Sequence, residues 1–328
     1  MAGVLIFLET MPASRYEVGN VFQNRNERVN SMTRKFRKVA VLKGGFSSER
    51  EISLKSGAAV AKGLLTAGYE VIEVDVKDRT LSLPEPVDGV FIALHGEFGE
   101  DGSIQQLLEN AKIPYTGSNP ASSKASFDKR LSKTIFVRAG IPTAPYEVLG
   151  PEDGSSLPYP FVIKPPCQGS TIGIFKINSR EDWDSSFQKS LSYDGEVIAE
   201  AFIPGRELTV AIVGDLAFPA IEILAPDGWY DFTAKYSLGQ SRHLCPAPLT
   251  DALAGRARSI ALDTFRALGC RGLGRVDFRL TDAGDLYVLE LNNIPGFTET
   301  SLLPEAAQQA GLDFSSLCAM IMEMARLG

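Results

Sequence analysis

The chain has 328 residues, a hydrophobic content of 44% and a formal net charge of -7. This length allows two or three domains, each with its own core, and the acidic charge argues against nucleic acid or an acidic membrane as partner. No apolar run approaches the roughly 20 residues that span a bilayer. The four cysteines lie far apart without CxxC spacing, which argues against a structural zinc site and fits a reducing cytosol.

The first 36 residues differ in character from the rest of the chain. Their apolar run, GVLIFL, is too short for the core of a signal peptide, and no basic residue precedes it. The stretch that follows is polar and has no clear period. We therefore expect residues 1–36 to be a disordered or loosely attached extension, with Met32 as an equally good start.

The first periodic segment, residues 38–76, reads as strand, glycine-rich turn, helix and strand, which is a parallel βαβ unit. Ser48 and Glu51 have the spacing of a capping box, so Glu51 is either a helix cap or a ligand. His95 follows the next strand at its carboxyl end, where open α/β sheets bind ligands. The turn at Gly44 lacks the G-x-G-x-x-G fingerprint, which disfavours an NAD-dependent oxidoreductase.

Two further segments predict strands next to candidate ligand contacts. Lys164 ends one strand, and the loop after it contains Gly169-Ser170-Thr171, whose backbone N–H groups could wrap phosphates, although this is not a Walker A motif. Residues 196–215 predict two strands around a Pro-Gly turn, with Glu200 and Glu207 close to the turn.

Residues 230–249 have no period, few apolar residues and a proline-rich end. A structureless loop of this length is uncommon inside a compact domain and suggests a lid over a site. The next 19 residues, 251–269, predict a helix.

The stretch 275–304 predicts a β-hairpin with a polar face. If its loop has four residues, Asp277 lies opposite Glu290 and Arg275 lies opposite Asn292. Mg2+ is held by such oxygen ligands together with substrate phosphates, although an exposed hairpin with a charged solvent face is the alternative. The hairpin leaves through a sharp turn whose backbone amides could bind an anion.

Eight stretches in this order resemble the D-alanine–D-alanine ligase family of the ATP-grasp superfamily, from about Lys38 to the end of the chain. They are KGGFSSEREISLKSG, ALHGEFGEDGSIQ, FDKRLSK, VIKPPCQGSTIG, PGRELTVAI, YDFTAKY, LGRVDFRL and ELNNIPGFTETSLLP. The resemblance implies an α/β fold with ATP-grasp architecture: an N-terminal Rossmann-like open α/β domain (37–122), a small central α+β domain (123–200) and a C-terminal α+β domain (201–328).

The resemblance also implies roles for individual residues. The implied ATP contacts are Lys129, Lys164, Ser170, Glu200, Phe202, Ile203, Glu207 and Lys235. The implied magnesium ligands are Asp277, Glu290 and Asn292. The implied contacts to the two amino acids are Glu51, which would pair with the first ammonium group, His95, Ser301 and Leu302. The implied catalytic groups are Arg275 and the Gly296 amide at the oxyanion, and Glu51, Ser170 and the lid residue Tyr236, which would be hydrogen-bonded together.

The activity that the resemblance implies is ATP-dependent joining of two D-alanine molecules through an acyl phosphate, for peptidoglycan precursor synthesis. ATP and two Mg2+ ions would be required, with Mn2+ as an alternative metal, in a cytoplasmic homodimer. The second substrate could instead be D-lactate or D-serine; Tyr236 stands where depsipeptide-forming relatives often have histidine, which favours an amine. A catalytically silent nucleotide-binding regulator is a further alternative, disfavoured by the intact carboxylates and arginine.

Overall fold

The computed structural model describes residues 34–169, 172–224, 242–298 and 301–328. The predicted βαβ unit is confirmed: β1 (Lys38–Gly44), α1 (Arg50–Thr66) and β2 (Glu70–Val76) alternate, and β1 and β2 are parallel. Strand β3 (Gly89–Ile92) pairs with the other side of β1, which gives the order β2-β1-β3. Most of β1 is buried because both faces of this sheet are covered.

Three helices follow, namely α2 (Ser103–Ala111), α3 (Pro120–Phe127) and α4 (Lys129–Ala139). The side chain of Asp128 accepts a hydrogen bond from Arg130 N at the start of α4, as expected of an N-cap residue. Asp128 itself is extended, so α3 ends and α4 begins at this residue, which brings Lys129 to the first position of α4.

A second sheet is antiparallel, with the order β4-β7-β5-β6. Its strands are β4 (Tyr146–Leu149), β5 (Phe161–Lys164), β6 (Phe175–Ile177) and β7 (Val197–Ala201), and α5 (Arg180–Asp194) contributes Trp183 and Phe187 to its core. The predicted strand–loop–strand around Lys164 is confirmed, since Phe161 pairs with Ile177 across the loop. Lys164 ends β5, as predicted.

The third sheet is also antiparallel and has the order β11-β10-β8-β12-β13. It comprises β8 (Arg206–Val213), β9 (Leu216–Ala217), which pairs with β8, β10 (Ile221–Leu224), β11 (Arg242–Leu244), β12 (Leu273–Leu280) and β13 (Leu286–Asn292). The predicted helix is α6 (Asp251–Ala267). Much of the predicted lid lies outside the described residues, but its part 242–244 is a strand paired with β10, so the prediction of a structureless loop is wrong there.

In the hairpin β12–β13, the two predicted residue pairs at the polar face are confirmed, but they result from a feature that the sequence pattern did not predict. Asp277 pairs with Glu290 and Arg275 with Asn292. The loop is one residue longer than predicted, because Leu280 pairs with Leu286. A register shift between Asp277 and Phe278 compensates for this extra residue. Such a bulge inserts one residue into a strand and re-aims the side chains beyond it.

The C-terminal helices α7 (Leu302–Gln309) and α8 (Phe314–Glu323) share a core with the first sheet and α1. Leu64 of α1, Leu303 of α7 and Ile321 of α8 are fully buried in it. Burying one such side chain contributes roughly 1.5–3 kcal/mol, so this core ties the two ends of the described chain together. Within the described ranges, no helix is both long and apolar enough to cross a membrane.

Candidate active site

The polar face of the hairpin is ordered by side-chain contacts around Asp277. Arg275 donates to both carboxylate oxygens, with Nε at 2.9 Å from Oδ1 and an Nη at 2.8 Å from Oδ2. Thr209, which pairs with Asp277 from β8, donates its hydroxyl to Oδ1 at 2.6 Å. Asp277 is buried, with 7% exposure. Its carboxylate therefore has one orientation: Oδ1 accepts two hydrogen bonds, while Oδ2 accepts one and retains a lone pair for a ligand.

Lys129 connects this face to the loop after β5. Its Nζ lies 2.7 Å from the Gln168 carbonyl, to which it donates, and 3.4 Å from Glu290 Oε2. Glu290 is more open than Lys129, with side-chain exposures of 33% and 7%. The buried ammonium group of Lys129 thus lies between the glycine-containing loop and the hairpin. There it would face an anionic ligand that binds to both of them.

The donor set at the hairpin fits a hard divalent cation. Asp277, Glu290 and Asn292 offer two carboxylates and one carboxamide, and Asn292 Oδ1 accepts a hydrogen bond from Ile294 N at 3.0 Å. In the described part of the chain, no cluster of three or more His, Cys, Asp and Glu side chains could hold a metal by itself. Oxygen donors in this number suit Mg2+, which usually completes its shell with water and substrate phosphates.

Glu200 lies between two buried lysines. One of its carboxylate oxygens is paired with Lys133 and the other with Lys164, and the three side chains are between 0% and 8% exposed. Burial by itself would raise the pKa of Glu200, but the two lysines lower it below the usual value. Burial lowers the pKa of Lys133 from 10.5 to about 8, against the opposing effect of Glu200. The carboxylate of Glu200 thus bridges two lysine side chains in the interior.

The segment after β7 is held by Arg279 of β12. Arg279 donates to the carbonyls of Ile203 at 3.1 Å and Gly205 at 2.6 Å, and it lies 3.4 Å from Glu207 Oε2. The ring of Phe202 lies under the Lys176 ammonium group at 3.9 Å. The predicted contacts Glu200, Phe202, Ile203 and Glu207 are thus brought to one edge between the second and third sheets.

The structure corrects the expected start of α1. The helix begins at Arg50 with Glu49 as N-cap residue and no side-chain cap, so the predicted capping box is absent. The side chain of Glu51 is exposed, whereas Glu49 is half-buried. A Cβ atom on Gly96 or on Gly169 would come within 3.0 Å of Glu49 Oε2. Glu49, rather than Glu51, therefore points its carboxylate between the first sheet and the glycine-containing loop.

A cleft of about 1470 Å³ opens beside Glu49, Gly96, Gln168 and Gly169. His95 lies deeper, at 5% exposure, with Nδ1 3.1 Å from the Ile294 carbonyl and 3.6 Å from Glu100 Oε1. Burial raises the pKa of Glu100. The cleft and the buried His95 thus both lie next to the first sheet, where the first-substrate subsite was predicted.

The turn after β13 brings the remaining predicted residues together. The Ser301 hydroxyl is so close to Gly296 that a Cβ at position 296 would lie 2.9 Å from it. Ser301 Oγ accepts from Thr298 N at 2.9 Å, and the buried Leu302 begins α7. A side chain at position 296 would therefore displace the Ser301 hydroxyl, so the close packing of this turn requires glycine.

Ser170, Lys235 and Tyr236 lie outside the described residues. Their implied roles stay predictions. Three residues near the site were missed by the sequence interpretation: Glu49, Lys133 and Arg279. Lys133 follows Lys129 at i+4 on one helix, and Arg279 shares the alternating face of Arg275 and Asp277, so both had a pattern that could have indicated them.

Family models and a sequence relative match most of the chain. The family model described as D-ala D-ala ligase C-terminus matches residues 135–323, and the model described as D-ala D-ala ligase N-terminus matches residues 76–118. The chain is 47% identical, over 293 residues, to a D-alanine–D-alanine ligase of Methylacidiphilum infernorum, with 89% of this chain and 96% of the relative covered.

Solved structures show the same fold. A Bacillus anthracis D-alanine–D-alanine ligase complexed with ATP has a TM-score of 0.76 and 30% identity, covering 88% of this chain and 97% of that chain. The VanG D-Ala:D-Ser ligase of Enterococcus faecalis has a TM-score of 0.79 and 29% identity, covering 88% and 99%. The predicted ATP-grasp fold is thereby confirmed, and the chain belongs to the D-alanine–D-alanine ligase family.

Proposed function

We propose that the chain joins two D-alanine molecules to D-alanyl-D-alanine, with ATP converted to ADP and phosphate, for peptidoglycan precursor synthesis. The observation that carries this proposal is the pairing of Asp277 with Glu290 beside the buried ammonium group of Lys129. With a divalent cation on the carboxylate pair, this face and the ammonium group of Lys129, which contacts the glycine-containing loop at Gln168, would hold the phosphates of a nucleotide.

In the first step, the carboxylate of the first D-alanine attacks the γ-phosphorus of ATP, which yields an acyl phosphate and ADP. Phosphoryl transfer asks the protein mainly for positioning and for neutralisation of charge. Lys129 and Lys164 supply positive charge, while Glu200, Phe202, Ile203 and Glu207 hold the nucleotide at the edge that Arg279 supports. Ser170, Lys235 and Tyr236 would close over the phosphates and exclude water.

In the second step, the amine of the second D-alanine attacks the carbonyl carbon of the acyl phosphate. The tetrahedral oxyanion would be stabilised by Arg275 and the Gly296 amide, and its collapse releases phosphate. His95 lines the first subsite, and Ser301 and Leu302 line the second.

Asp277, Glu290 and Asn292 would hold Mg2+, or Mn2+ in its place, as two ions. When bound, these ions supply charge neutralisation on the transferring phosphoryl group. The support is the oxygen donor set on one hairpin face.

Glu49 takes the role that the resemblance assigned to Glu51, because its carboxylate lies at the cleft while that of Glu51 is exposed. A charge-assisted hydrogen bond contributes roughly 1.5–3 kcal/mol, so Glu49→Gln should lower kcat/KM for the first D-alanine about 10- to 100-fold. The matched control Glu51→Gln should stay close to wild type. Steady-state kinetics at varied D-alanine decide, and equal losses in both variants would contradict the assignment.

The reaction is tested by measuring ADP release with D-alanine, L-alanine, D-serine and D-lactate, offered separately and in pairs, and by identifying the product. We expect ADP and D-alanyl-D-alanine with D-alanine alone. The similarity to a D-Ala:D-Ser ligase makes D-serine the second candidate at the second subsite. ADP release only with another pair would overturn the D-alanine assignment, and no turnover with any pair would favour the silent regulator.

The division into domains 37–122, 123–200 and 201–328 is part of the same proposal, supported by one sheet in each part. A homodimer and a cytoplasmic location are further parts of this proposal, which the family resemblance supports. Sedimentation of the purified protein tests the dimer.

A further inference from the structure

Ser56 is a buried polar residue of α1 for which the mechanism above has no role. It is fully buried, with 0% exposure, and it lies 241 positions before its partner Phe297. Its Oγ accepts a hydrogen bond from Phe297 N at 3.2 Å and lies 3.1 Å from His95 Nε2. One hydroxyl of the first sheet's helix therefore contacts both a predicted substrate residue and the backbone of the turn after β13.

The proton donors and acceptors of this group match one another. The Ile294 carbonyl can only accept, so the hydrogen of the His95 ring lies on Nδ1, 3.1 Å from that oxygen. In the neutral ring, Nε2 is then an acceptor and takes the hydroxyl hydrogen of Ser56. The lone pair of Ser56 Oγ remains for Phe297 N–H. Glu100 Oε1, at 3.6 Å, is a second and more distant acceptor for the hydrogen on Nδ1.

These bonds restrain both ends of one short segment. His95 holds the carbonyl of Ile294, and Ser56 holds the N–H of Phe297; the two residues between them are Pro295 and Gly296. Phe297 is anchored further by its ring, which packs edge-on against Phe91 at 5.6 Å between centroids. The orientation of the Gly296 N–H is therefore set from both sides, by His95 in the segment after β3 and by Ser56 of α1.

We propose that Ser56 is a positioning residue for the second step, which holds the Gly296 amide at the oxyanion through Phe297 and His95. This proposal rests on the proposed function. Without the Ser56 hydroxyl, the amide would no longer be aimed at the developing charge, whereas the nucleotide site at the other edge would be unchanged. The acyl phosphate would then persist and be attacked by water, which releases D-alanine and phosphate without dipeptide.

The test is the ratio of dipeptide formed to ADP released in the full chain with Mg-ATP and D-alanine. Ser56→Ala deletes the hydroxyl, and Ser56→Cys fills the same space with a group that hydrogen-bonds weakly. In both variants, kcat for dipeptide formation should fall about 10- to 100-fold, since misplacement of the order of 1 Å can cost this much. The ratio of dipeptide to ADP should fall clearly below one. The KM for ATP should change less than twofold. A role in packing alone would lower dipeptide and ADP together and leave the ratio at the wild-type value.

Ser315→Ala is the matched control. Its hydroxyl also bonds to α1, at the Gly63 carbonyl (2.9 Å), but far along the helix from the turn. This variant should lose stability without any change in the ratio. If the wild type couples ATP to dipeptide and both Ser56 variants keep its ratio and kcat, the positioning role is overturned. If the wild type makes no dipeptide, the proposed function fails first, and the role of Ser56 fails with it.

Discussion

Replacing Arg275 by methionine is expected to lower kcat about 100- to 1000-fold, the usual loss when one oxyanion donor is removed. Arg275 is held by a bidentate pair with Asp277, and the side chains are 14% and 10% exposed. The guanidinium group is therefore fixed before any substrate arrives. Asp277 keeps the Thr209 hydroxyl as a partner in the variant, so the hairpin should remain folded.

Arg279→Met is the matched comparison, because Arg279 lies two residues beyond Asp277 on the same strand and face. It holds the carbonyls of Ile203 and Gly205 and contacts Glu207, so its loss should raise the KM for ATP and leave kcat closer to wild type. Initial rates at varied ATP and D-alanine separate the two effects. Equal changes of kcat in both variants would contradict the assignment of the oxyanion role to Arg275.

Glu200→Gln is expected to reduce the free energy of unfolding by roughly 3–5 kcal/mol, because it leaves two buried lysines without their carboxylate. Lys133 and Lys164 both pair with Glu200 and are nearly inaccessible. The control Glu196→Gln removes a carboxylate from the same region, but its pair with Arg130 is exposed at 42% and 38%. Exposed pairs contribute about 0–1 kcal/mol, so the control should change little in urea unfolding.

The loss of unfolding free energy caused by Glu200→Gln should depend on pH. The pKa of Lys133 in the folded protein is about 8, below its usual 10.5, so the unfolded chain binds more protons between these two values. This lysine therefore makes stability rise with pH across that window. Removing Glu200 lowers the pKa of Lys133 further and extends the rise to lower pH. The prediction is contradicted if the unfolding free energy of Glu200→Gln differs little from that of wild type, or differs by the same amount from pH 7 to 10. Either result would show that Lys133 and Lys164 find other partners.

The hairpin β12–β13 shows which structural features a local sequence pattern can predict and which it cannot. Alternation of polar and apolar residues is a property of neighbouring side chains, so the polar face of β12 could be predicted from the sequence. The opposition of Asp277 and Glu290 was predicted too, but from a loop one residue too short. The bulge that restores the pairing depends on the packing of β12 between β8 and β13, which no local pattern contains.

At the start of α1, by contrast, the local sequence pattern did not predict which carboxylate faces the cleft. Two glutamates, Glu49 and Glu51, stand on either side of Arg50; the spacing predicted Glu51 as a capping-box residue, which is wrong, and the resemblance assigned it the first-substrate contact. Which carboxylate faces the cleft depends on the residue at which α1 begins, and helix ends are poorly specified by local sequence.

The amino-acid sequence by itself determined the family, the order of the elements, and most residues that the structure brings to the proposed nucleotide edge and to the hairpin face. These depend on short motifs and on the periods of helices and strands, which are local properties. Only the tertiary structure decided that Lys133 is buried against Glu200, that Glu49 faces the cleft and that Ser56 holds the turn at Phe297. Each of these contacts joins groups brought together by the packing of separate elements, and Ser56 and Phe297 are 241 positions apart. Their partners depend on how the sheets and helices pack, because a buried polar group without a hydrogen-bond partner is costly and the partner is found in space rather than along the chain.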